Sequence, residues 1–215
     1  MTLKVIVVPV TPFEQNCSIL ICQETNRAAI VDPGGDLHKI THALNESGAI
    51  PEKILLTHGH VDHCAGAVAL SKELGVEIIG PHQDEQFWLD QLPLQSQRFG
   101  FAPSEAFVPH QWLSDNELVT VGNTELTVRH CPGHTPGHVV FYSPNDRLAI
   151  VGDVLFAGSI GRTDFPRGNH ADLIRAIREK LFPLGDDVTF VPGHGPNSTF
   201  GRERQTNPYV GEGAF

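Results

Sequence analysis

Short apolar runs typical of strands alternate along the chain with stretches in which apolar positions recur at helical spacing. The pattern predicts ten strands, at residues 3–10, 17–22, 27–32, 53–57, 76–80, 118–121, 124–129, 138–142, 148–151 and 187–191. It predicts three helices, at about residues 36–47, 64–74 and 170–181. The first strands resemble an antiparallel meander and the later ones alternate with helices. This mixture indicates an α/β fold with helices layered on mixed sheets.

Two stretches lack the regular spacing of hydrophobic positions that predicts a strand or a helix. Residues 82–116 are interrupted by Pro93, Gly100, Pro103 and Pro109 and contain six aromatic residues. They fit either a lid or pocket wall, or a helix packed on the edge of the sheet, and the pattern favours the helix. The tail from residue 200 to 215 shows no periodicity that predicts an element.

Composition narrows the possible partners. The chain has 215 residues, of which 40% are hydrophobic and 19% charged, and its length allows one or two domains. No apolar run is long enough to span a membrane, and the first residues lack the features of a signal peptide. A formal net charge of −10 argues against nucleic acid and anionic membranes as partners. The four cysteines have no CxxC spacing and fit reduced thiols, so we expect a cytoplasmic protein.

The strand at 53–57 stops at four potential metal ligands within six residues, His58, His60, Asp62 and His63. His58 and His60 lie two residues apart on a turn, so both rings can face one side. Asp62 and His63 fall at the start of the next helix, where exposed backbone N–H groups favour a carboxylate. Neutral imidazole and carboxylate suit Zn²⁺, and also Fe or Mn. The competing interpretation is a histidine-rich polar turn on the surface.

Three further candidate ligands each follow a predicted strand. They are His134, Asp153 and His194, and each has small residues beside it that allow close approach of the backbone. Alone, each would be an ordinary loop residue. Together the set contains five histidines and two aspartates, enough for two metal ions that share a bridging carboxylate and keep open positions.

The motifs THGHVDH, GHTPGH, GD and PGHG, in this order, resemble those of the metallo-β-lactamase-fold hydrolases. The resemblance extends from Asp32 to His194. The segments at 8–20 and 158–165 look most like those of the glyoxalase II group, in its short bacterial hydroxyacylglutathione hydrolase form. The resemblance implies one domain over residues 1–215, folded as a four-layer αβ/βα sandwich of two mixed sheets flanked by helices. The metals would lie at one edge, between the sheets.

The resemblance also implies a ligand set and an activity. It assigns His58, His60 and His134 to one ion and Asp62, His63 and His194 to the other, with Asp153 bridging. Asp62 would also orient the attacking hydroxide. Two divalent ions are expected per chain, Zn²⁺ first and Fe or Mn as alternatives. The implied reaction is hydrolysis of S-lactoylglutathione to lactate and glutathione, a step of methylglyoxal detoxification. The expected partner is a small glutathione thioester, and the protein is expected to be a monomer or small homo-oligomer.

Residues outside the ligand set have two interpretations each. Asp32 and His138 are predicted to orient ligand histidines, although Asp32 also fits a helix cap or turn and His138 a packed strand histidine. The lysine and aromatic residue that long glyoxalase II enzymes use after the bridging aspartate have no clear equivalent here. Arg162 is therefore predicted to hold a glutathione carboxylate, with Arg167 as the alternative and a surface role as the rival for both. Because the helical C-terminal domain of the long enzymes is absent from this sequence, weaker substrate binding is expected.

Three other functions compete with thioester hydrolysis. The first is a persulfide dioxygenase, which shares a GRTDF-like stretch but uses one iron with three protein ligands. The second is a lactonase or β-lactamase, although secreted zinc β-lactamases usually have a signal peptide and often a cysteine at the position of Asp153. The third is a non-catalytic metal-binding or electron-transfer module. The complete set of seven ligands favours hydrolysis.

Overall fold

A computed structural model describes residues 2–213. Met1, Ala214 and Phe215, which belong to the predicted single domain and tail, lie outside the described residues. The strands are β1 (Leu3–Val10), β2 (Gln15–Cys22), β3 (Arg27–Val31), β4 (Ile50–Leu55), β5 (Glu77–Ile79), β6 (Leu118–Val121), β7 (Thr124–His130), β8 (Val139–Ser143), β9 (Leu148–Gly152), β10 (Leu155–Phe156), β11 (Ser159–Ile160), β12 (Thr189–Pro192) and β13 (Ser198–Thr199). The helices are α1 (Leu37–Ser47), α2 (Val61–Cys64), α3 (Ala67–Leu74), α4 (Gln86–Leu89), α5 (Leu92–Phe99), α6 (His170–Ala176) and α7 (Phe200–Thr206).

Both large sheets are mixed. The first has the strand order β1-β2-β3-β4-β5, antiparallel from β1 to β3 and parallel from β3 to β5. The second has the order β13-β12-β9-β8-β7-β6, in which only the β9–β12 pair is parallel. Strands β10 and β11 form a separate antiparallel hairpin.

Three hydrophobic cores separate four layers. Alternate residues of β2 face different cores: Ile19 packs with Ile40 and Leu70 of α1 and α3, whereas Leu20 faces the second sheet. The middle core joins the inner faces of the two sheets, and the third core packs the second sheet against α6 and α7. Because sheets buried on both faces read as continuous apolar runs, β2 and β8 show little alternation in sequence. This arrangement confirms the predicted four-layer sandwich of mixed sheets flanked by helices.

The predicted strands are all present, with ends that differ by at most three residues. The predicted helix at 64–74 corresponds to α3, and the separate short helix α2 ends at Cys64, where the prediction began. The predicted helix at 170–181 consists of α6 followed by a π-helical segment, Ile177–Leu181. The segment 82–116 contains a 3₁₀ turn (Gln83–Glu85), α4 and α5. It satisfies both earlier interpretations, since Leu89 and Leu92 pack in the first core while neighbouring side chains line a cavity.

The tail contains α7, which the sequence did not predict. Its apolar residue Phe200 packs on Phe190 in the third core, and Thr199 caps the helix by accepting a hydrogen bond from Arg202 N. Among the residues that are described, no helix is long and apolar enough to cross a membrane.

Candidate metal centre

The candidate ligands converge because the strands that precede them end at a shared edge. His58 and His60 follow β4, and Asp62 and His63 lie on the short helix α2. His134, Asp153 and His194 follow β7, β9 and β12, which run in one direction within the second sheet. The carboxyl ends of these strands therefore face the carboxyl end of β4 across the gap between the sheets.

One cluster contains His58, His60 and His134. His60 Nδ1 lies 3.1 Å from His58 Nε2 and 3.0 Å from His134 Nε2. His58 Nδ1 donates to Thr57 Oγ1 at 3.0 Å, since that hydroxyl itself donates to Asp32, and His134 Nδ1 donates to the Arg162 carbonyl at 2.7 Å. In the neutral imidazoles these bonds leave both Nε2 atoms with lone pairs, and both lone pairs point at one place. Such a convergence of lone pairs suits a cation.

The second cluster contains Asp62, His63 and His194. Asp62 Oδ2 lies 3.1 Å from His194 Nε2 and 3.6 Å from His63 Nε2. His63 Nδ1 donates to Asp32 Oδ2 at 2.9 Å, and His194 Nδ1 donates to the Phe13 carbonyl at 3.0 Å. Both Nε2 atoms are thereby turned towards the carboxylates. In each cluster, one donor atom per residue lies within 4.8 Å of the others.

Asp153 lies between the two clusters. Its Oδ1 is 3.3 Å from His63 Nε2, and its Oδ2 is 3.6 Å from His134 Nε2 and 3.7 Å from His194 Nε2. One carboxylate thus faces ring nitrogens of both clusters. This is the position that a bridging ligand requires.

The donor set fits divalent ions. His63 Nε2 and Asp153 Oδ1 are buried and lie 3.3 Å apart, but neither makes a hydrogen bond of acceptable angle with any of residues 2–213. Buried polar atoms destabilise a fold by about 1–3 kcal/mol each when left unsatisfied. A metal ion would satisfy both. The neighbouring Gly193 is also required for close approach, since a Cβ there would lie 2.1 Å from Asp153 Oδ1. Imidazole with carboxylate matches Zn²⁺, Fe or Mn, and does not by itself identify the metal.

The electrostatics of the two clusters differ. Burial lowers the pKa of His58, His60 and His134, so these rings are neutral, the form that ligates metals. Burial also opposes charge on His63, but the carboxylates of Asp153, Asp62 and Asp32 outweigh it and hold its pKa well above the usual value. The second cluster and Asp153 therefore attract positive charge.

Asp32 lies next to the candidate ligands and belongs to neither of the two clusters described above. Its Oδ1 accepts from Thr57 N at 2.8 Å, and its Oδ2 accepts from Thr57 Oγ1 at 2.6 Å and from His63 Nδ1. Its backbone is left-handed, with φ of 53°, which is uncommon for residues other than glycine. The N-cap position of α1 is occupied by Asp36 instead, whose side chain makes no capping hydrogen bond. Asp32 thus contacts one ligand directly and a second, His58, through Thr57.

His138 is buried and contacts the site in a different way from the prediction. Its Nε2 accepts a hydrogen bond from Asp153 N at 3.1 Å, and its ring stacks on His58 with centroids 4.6 Å apart. It therefore touches the backbone of one candidate ligand and the ring face of another, and it makes no hydrogen bond to a ligand imidazole.

A cavity of about 1040 Å³ opens above the clusters. Its floor includes His60, Asp62, His134, Asp153 and His194. Its walls are mainly apolar and come from the β1–β2 turn, α4, α5 and the segment 156–166; they include Phe13, Trp88, Leu94, Phe99, Phe156, Ile160 and Phe165. The cavity is large enough for a peptide-sized ligand and places it directly over the clusters.

Two arginines line this cavity, and they differ in their surroundings. Arg162 makes a bidentate ion pair with Asp164, at 3.0 and 2.8 Å, and lies over the Phe165 ring. Arg98 of α5 has no carboxylate oxygen within 4.0 Å among the described residues. Arg167 lies over Phe87 and does not line the cavity.

Sequence reasoning did not identify three polar residues that hold the ligand loops. The Thr57 hydroxyl connects Asp32 to His58 by a hydrogen bond to each. Gln95 of α5 accepts from Val61 N at 3.0 Å and donates to the Gly59 carbonyl at 3.2 Å. Glu85 accepts backbone hydrogen bonds from the His58–His60 loop and from the loop that follows His134. Thr57 directly precedes the histidines and was detectable by position, whereas no local signal marks Gln95 or Glu85.

The chain is similar to known proteins over nearly its whole length. Residues 10–194 match the profile of the Metallo-beta-lactamase superfamily. This chain belongs to that superfamily. Hydroxyacylglutathione hydrolase GloC of Haemophilus influenzae is 43% identical over 205 residues, covering 95% of this chain and 96% of the relative.

Solved members of the superfamily share the whole fold. The BLEG-1 B3 metallo-beta-lactamase superposes with a TM-score of 0.89 at 33% identity, covering 96% of this chain and 99% of BLEG-1. TTHA1623, solved in a di-iron-bound form, gives a TM-score of 0.87 at 32% identity, covering 96% of this chain and 100% of that one. Relatives that are similar over their full length thus carry different names, and the superfamily alone does not specify the substrate.

Proposed function

We propose that this protein is a binuclear metal-dependent thioester hydrolase that converts S-lactoylglutathione to lactate and glutathione. The observation that carries the proposal is the pair of three-residue clusters with Asp153 between them, at the floor of a cavity. The similarity to a hydroxyacylglutathione hydrolase supports the substrate class. The di-iron-bound form of TTHA1623 supports a two-ion site.

In this proposal His58, His60 and His134 hold one ion, Asp62, His63 and His194 hold the other, and Asp153 serves both. Bound divalent ions supply a water nucleophile that is reactive near neutral pH and polarise the substrate carbonyl. Zn²⁺ is the first expectation, with Fe or Mn as alternatives. Asp32, through His63 and Thr57, keeps the ligand nitrogens turned towards the ions.

Asp62 has a second role in the proposed reaction. Its carboxylate lines the cavity, so it can accept a hydrogen bond from the attacking water and orient it towards the carbonyl carbon. The leaving thiolate has an aqueous pKa of roughly 8.5 and needs little protonation to depart. No enzyme thiol attacks in this scheme, because the four cysteines are buried and none lines the cavity.

The cavity walls suit a thioester of an anionic peptide. The apolar side chains exclude water from the acyl group, and the two arginines can reach carboxylates of glutathione. A carboxylate that binds Arg162 must compete with Asp164, whereas Arg98 has no such competitor among the described residues. We therefore propose that both arginines contribute to substrate binding.

A single-iron persulfide dioxygenase is the alternative. It would leave His63 and His194 without a ligand role, although both are held in place by hydrogen bonds that turn Nε2 inward. A non-catalytic metal module would not require an open cavity over the clusters. These observations favour hydrolysis.

The test uses protein reloaded separately with Zn²⁺, Mn²⁺ or Fe²⁺. We expect thiol release from S-lactoylglutathione, no oxygen uptake in an oxygen electrode, and loss of activity with a chelator. Oxygen uptake with glutathione persulfide, together with no thiol release from the thioester, would establish the dioxygenase instead. Because BLEG-1 is named a β-lactamase, a chromogenic cephalosporin is the third substrate, and its preferred hydrolysis would overturn the thioester assignment.

A further inference from the structure

Glu85 is a buried acidic residue that takes no part in the reaction proposed above. It lies in the 3₁₀ turn before α4, and its side chain is completely buried. Its Oε2 accepts from Gly59 N at 2.7 Å, and its Oε1 accepts from Gly137 N at 2.7 Å. Gly59 lies between His58 and His60, and Gly137 follows His134 by three residues. One carboxylate therefore joins the two loops that supply the first cluster.

Both contacts are close and specific. A Cβ at Gly59 would lie 2.7 Å from Trp88 Cβ and 3.1 Å from Glu85 Oε2, and one at Gly137 would lie 2.7 Å from Glu85 N. The segment that carries Glu85 makes a second hydrogen bond to the His134 loop, because His82 N donates to the Gly137 carbonyl at 3.1 Å. The two loops come from different sheets. Near the cluster they are joined by the backbone, since Val139 N donates to the Thr57 carbonyl at 2.9 Å, and by the side chain of Glu85.

A carboxylate is suited to this task because it offers an acceptor to each of two N–H donors. A glutamine of the same size would offer one acceptor and would direct its NH₂ group at the other N–H. Burial raises the pKa of Glu85 to about 7 despite the two N–H groups, so the fold holds this acid where ionisation is disfavoured. Such a placement needs a compensating role.

We propose that Glu85 is a positioning residue that holds the His58–His60 loop and the His134 loop at the spacing the first metal ion requires. The inference rests on the metal assignment of the proposed function and is independent of the substrate. The second cluster is held by other groups, since His63 is bonded to Asp32 and His194 to the Phe13 carbonyl. Glu85 should therefore act on one cluster only.

The experiment measures metal affinity and stoichiometry by Co²⁺ and Zn²⁺ titration against a chelating indicator, in the full chain. Glu85→Gln should weaken binding of one of the two ions by about tenfold or more, the range known for groups that support metal ligands. Added to a His194→Ala chain, which retains the first cluster, E85Q should have the same effect. Added to a His134→Ala chain, it should change the remaining affinity little.

Asp146→Asn is the matched control. Asp146 is a buried carboxylate that accepts from Thr2 N and Leu3 N, at the opposite end of β9 from Asp153. It should lower stability and leave both affinities unchanged. If E85Q does not fold, Glu85→Asp, which keeps two acceptors with a shorter reach, replaces it.

The outcomes separate the two proposals. A wild-type chain that binds no ion would refute the metal assignment itself. Two ions at wild-type affinity in folded E85Q, or equal effects in the His134→Ala and His194→Ala chains, would overturn the role of Glu85 alone. Failure of both Glu85 variants to fold, while Asp146→Asn folds, would show that Glu85 supports the whole fold and would also overturn it.

Discussion

Replacing Asp153 with asparagine tests whether one carboxylate serves both clusters. The side chain keeps its shape but loses its charge and one of its two acceptor oxygens. Because the Asp153 oxygens face His63 on one side and His134 and His194 on the other, the change affects both candidate ions. A ligand that belonged to one cluster only would affect one ion.

The expected magnitude follows from binding linkage. An ion that binds only the folded chain, at a free concentration 100-fold above its Kd, stabilises it by about 2.7 kcal/mol. Two ions contribute about 5 kcal/mol, which raises Tm by roughly 10–20 °C in a chain of this size. If affinity falls at least about tenfold at each cluster, the variant loses about 3 kcal/mol of that gain, or roughly 6–12 °C.

The assay is a thermal melt with chelator and with saturating Zn²⁺, combined with metal analysis after gel filtration. The quantity compared is the metal-induced rise in Tm within each variant, so effects of the substitution on the chain itself cancel. Asp146→Asn should keep the full rise, because Asp146 is equally buried but distant from the site. An Asp153→Asn chain that keeps two ions and the full rise in Tm would refute the bridging role.

Three further predictions concern residues around the ligands. Arg162→Ala and Arg98→Ala should each raise KM for S-lactoylglutathione more than they lower kcat, because each removes binding shared by the ground and transition states. Steady-state kinetics measure this, and an unchanged KM would assign the residue to the surface. Asp32→Asn should lower metal affinity about 10–100-fold by releasing His63 and Thr57, which chelator competition measures, and an unchanged affinity would contradict its orienting role. For Glu85, burial raises the pKa from 4.5 to about 7 in the fold, so the contribution of this residue to stability is greatest below pH 4.5 and is lost as pH rises through 7. Relative to Glu85→Gln in chelator, urea unfolding should show the wild type losing about 3 kcal/mol across this range, and a pH-independent difference would contradict the burial argument.

Most of the elements and the positions of the candidate ligands were recognisable in the sequence for a common physical reason. Strands buried on both faces are continuous apolar runs, and three of the strands here are followed within three residues by a polar residue next to a glycine. His58, Asp153 and His194 all occupy such positions. That these positions meet in one site was implied by the resemblance of the motifs to those of the metallo-β-lactamase-fold hydrolases.

The residues that hold the ligands were less accessible to sequence reasoning. Glu85 and Gln95 come from a segment whose pattern was irregular, and their partners are backbone groups of distant loops. A backbone acceptor or donor has no residue identity, so no pattern of side chains reveals such a contact. The helix α7 was missed because seven residues make too few turns to show periodicity. It is held by the Thr199 cap, by buried Phe200 and by Glu203, whose carboxylate accepts from Gly158 N and Ser198 Oγ.

The substrate walls and the metal centre are joined through backbone carbonyls. The Phe13 carbonyl orients His194, and the Arg162 carbonyl orients His134, while both side chains line the cavity. The tautomers of His134 and His194 are therefore set by backbone carbonyl oxygens, which any residue at positions 162 and 13 would provide. The side chains at these two positions shape the cavity and do not contact the ligand nitrogens. Changing the Phe13 or Arg162 side chain should alter substrate choice and leave the metal content intact. Changing the path of either loop should disturb both. Such a division lets one metal centre operate beneath different cavity walls, which is consistent with the different names of the similar proteins.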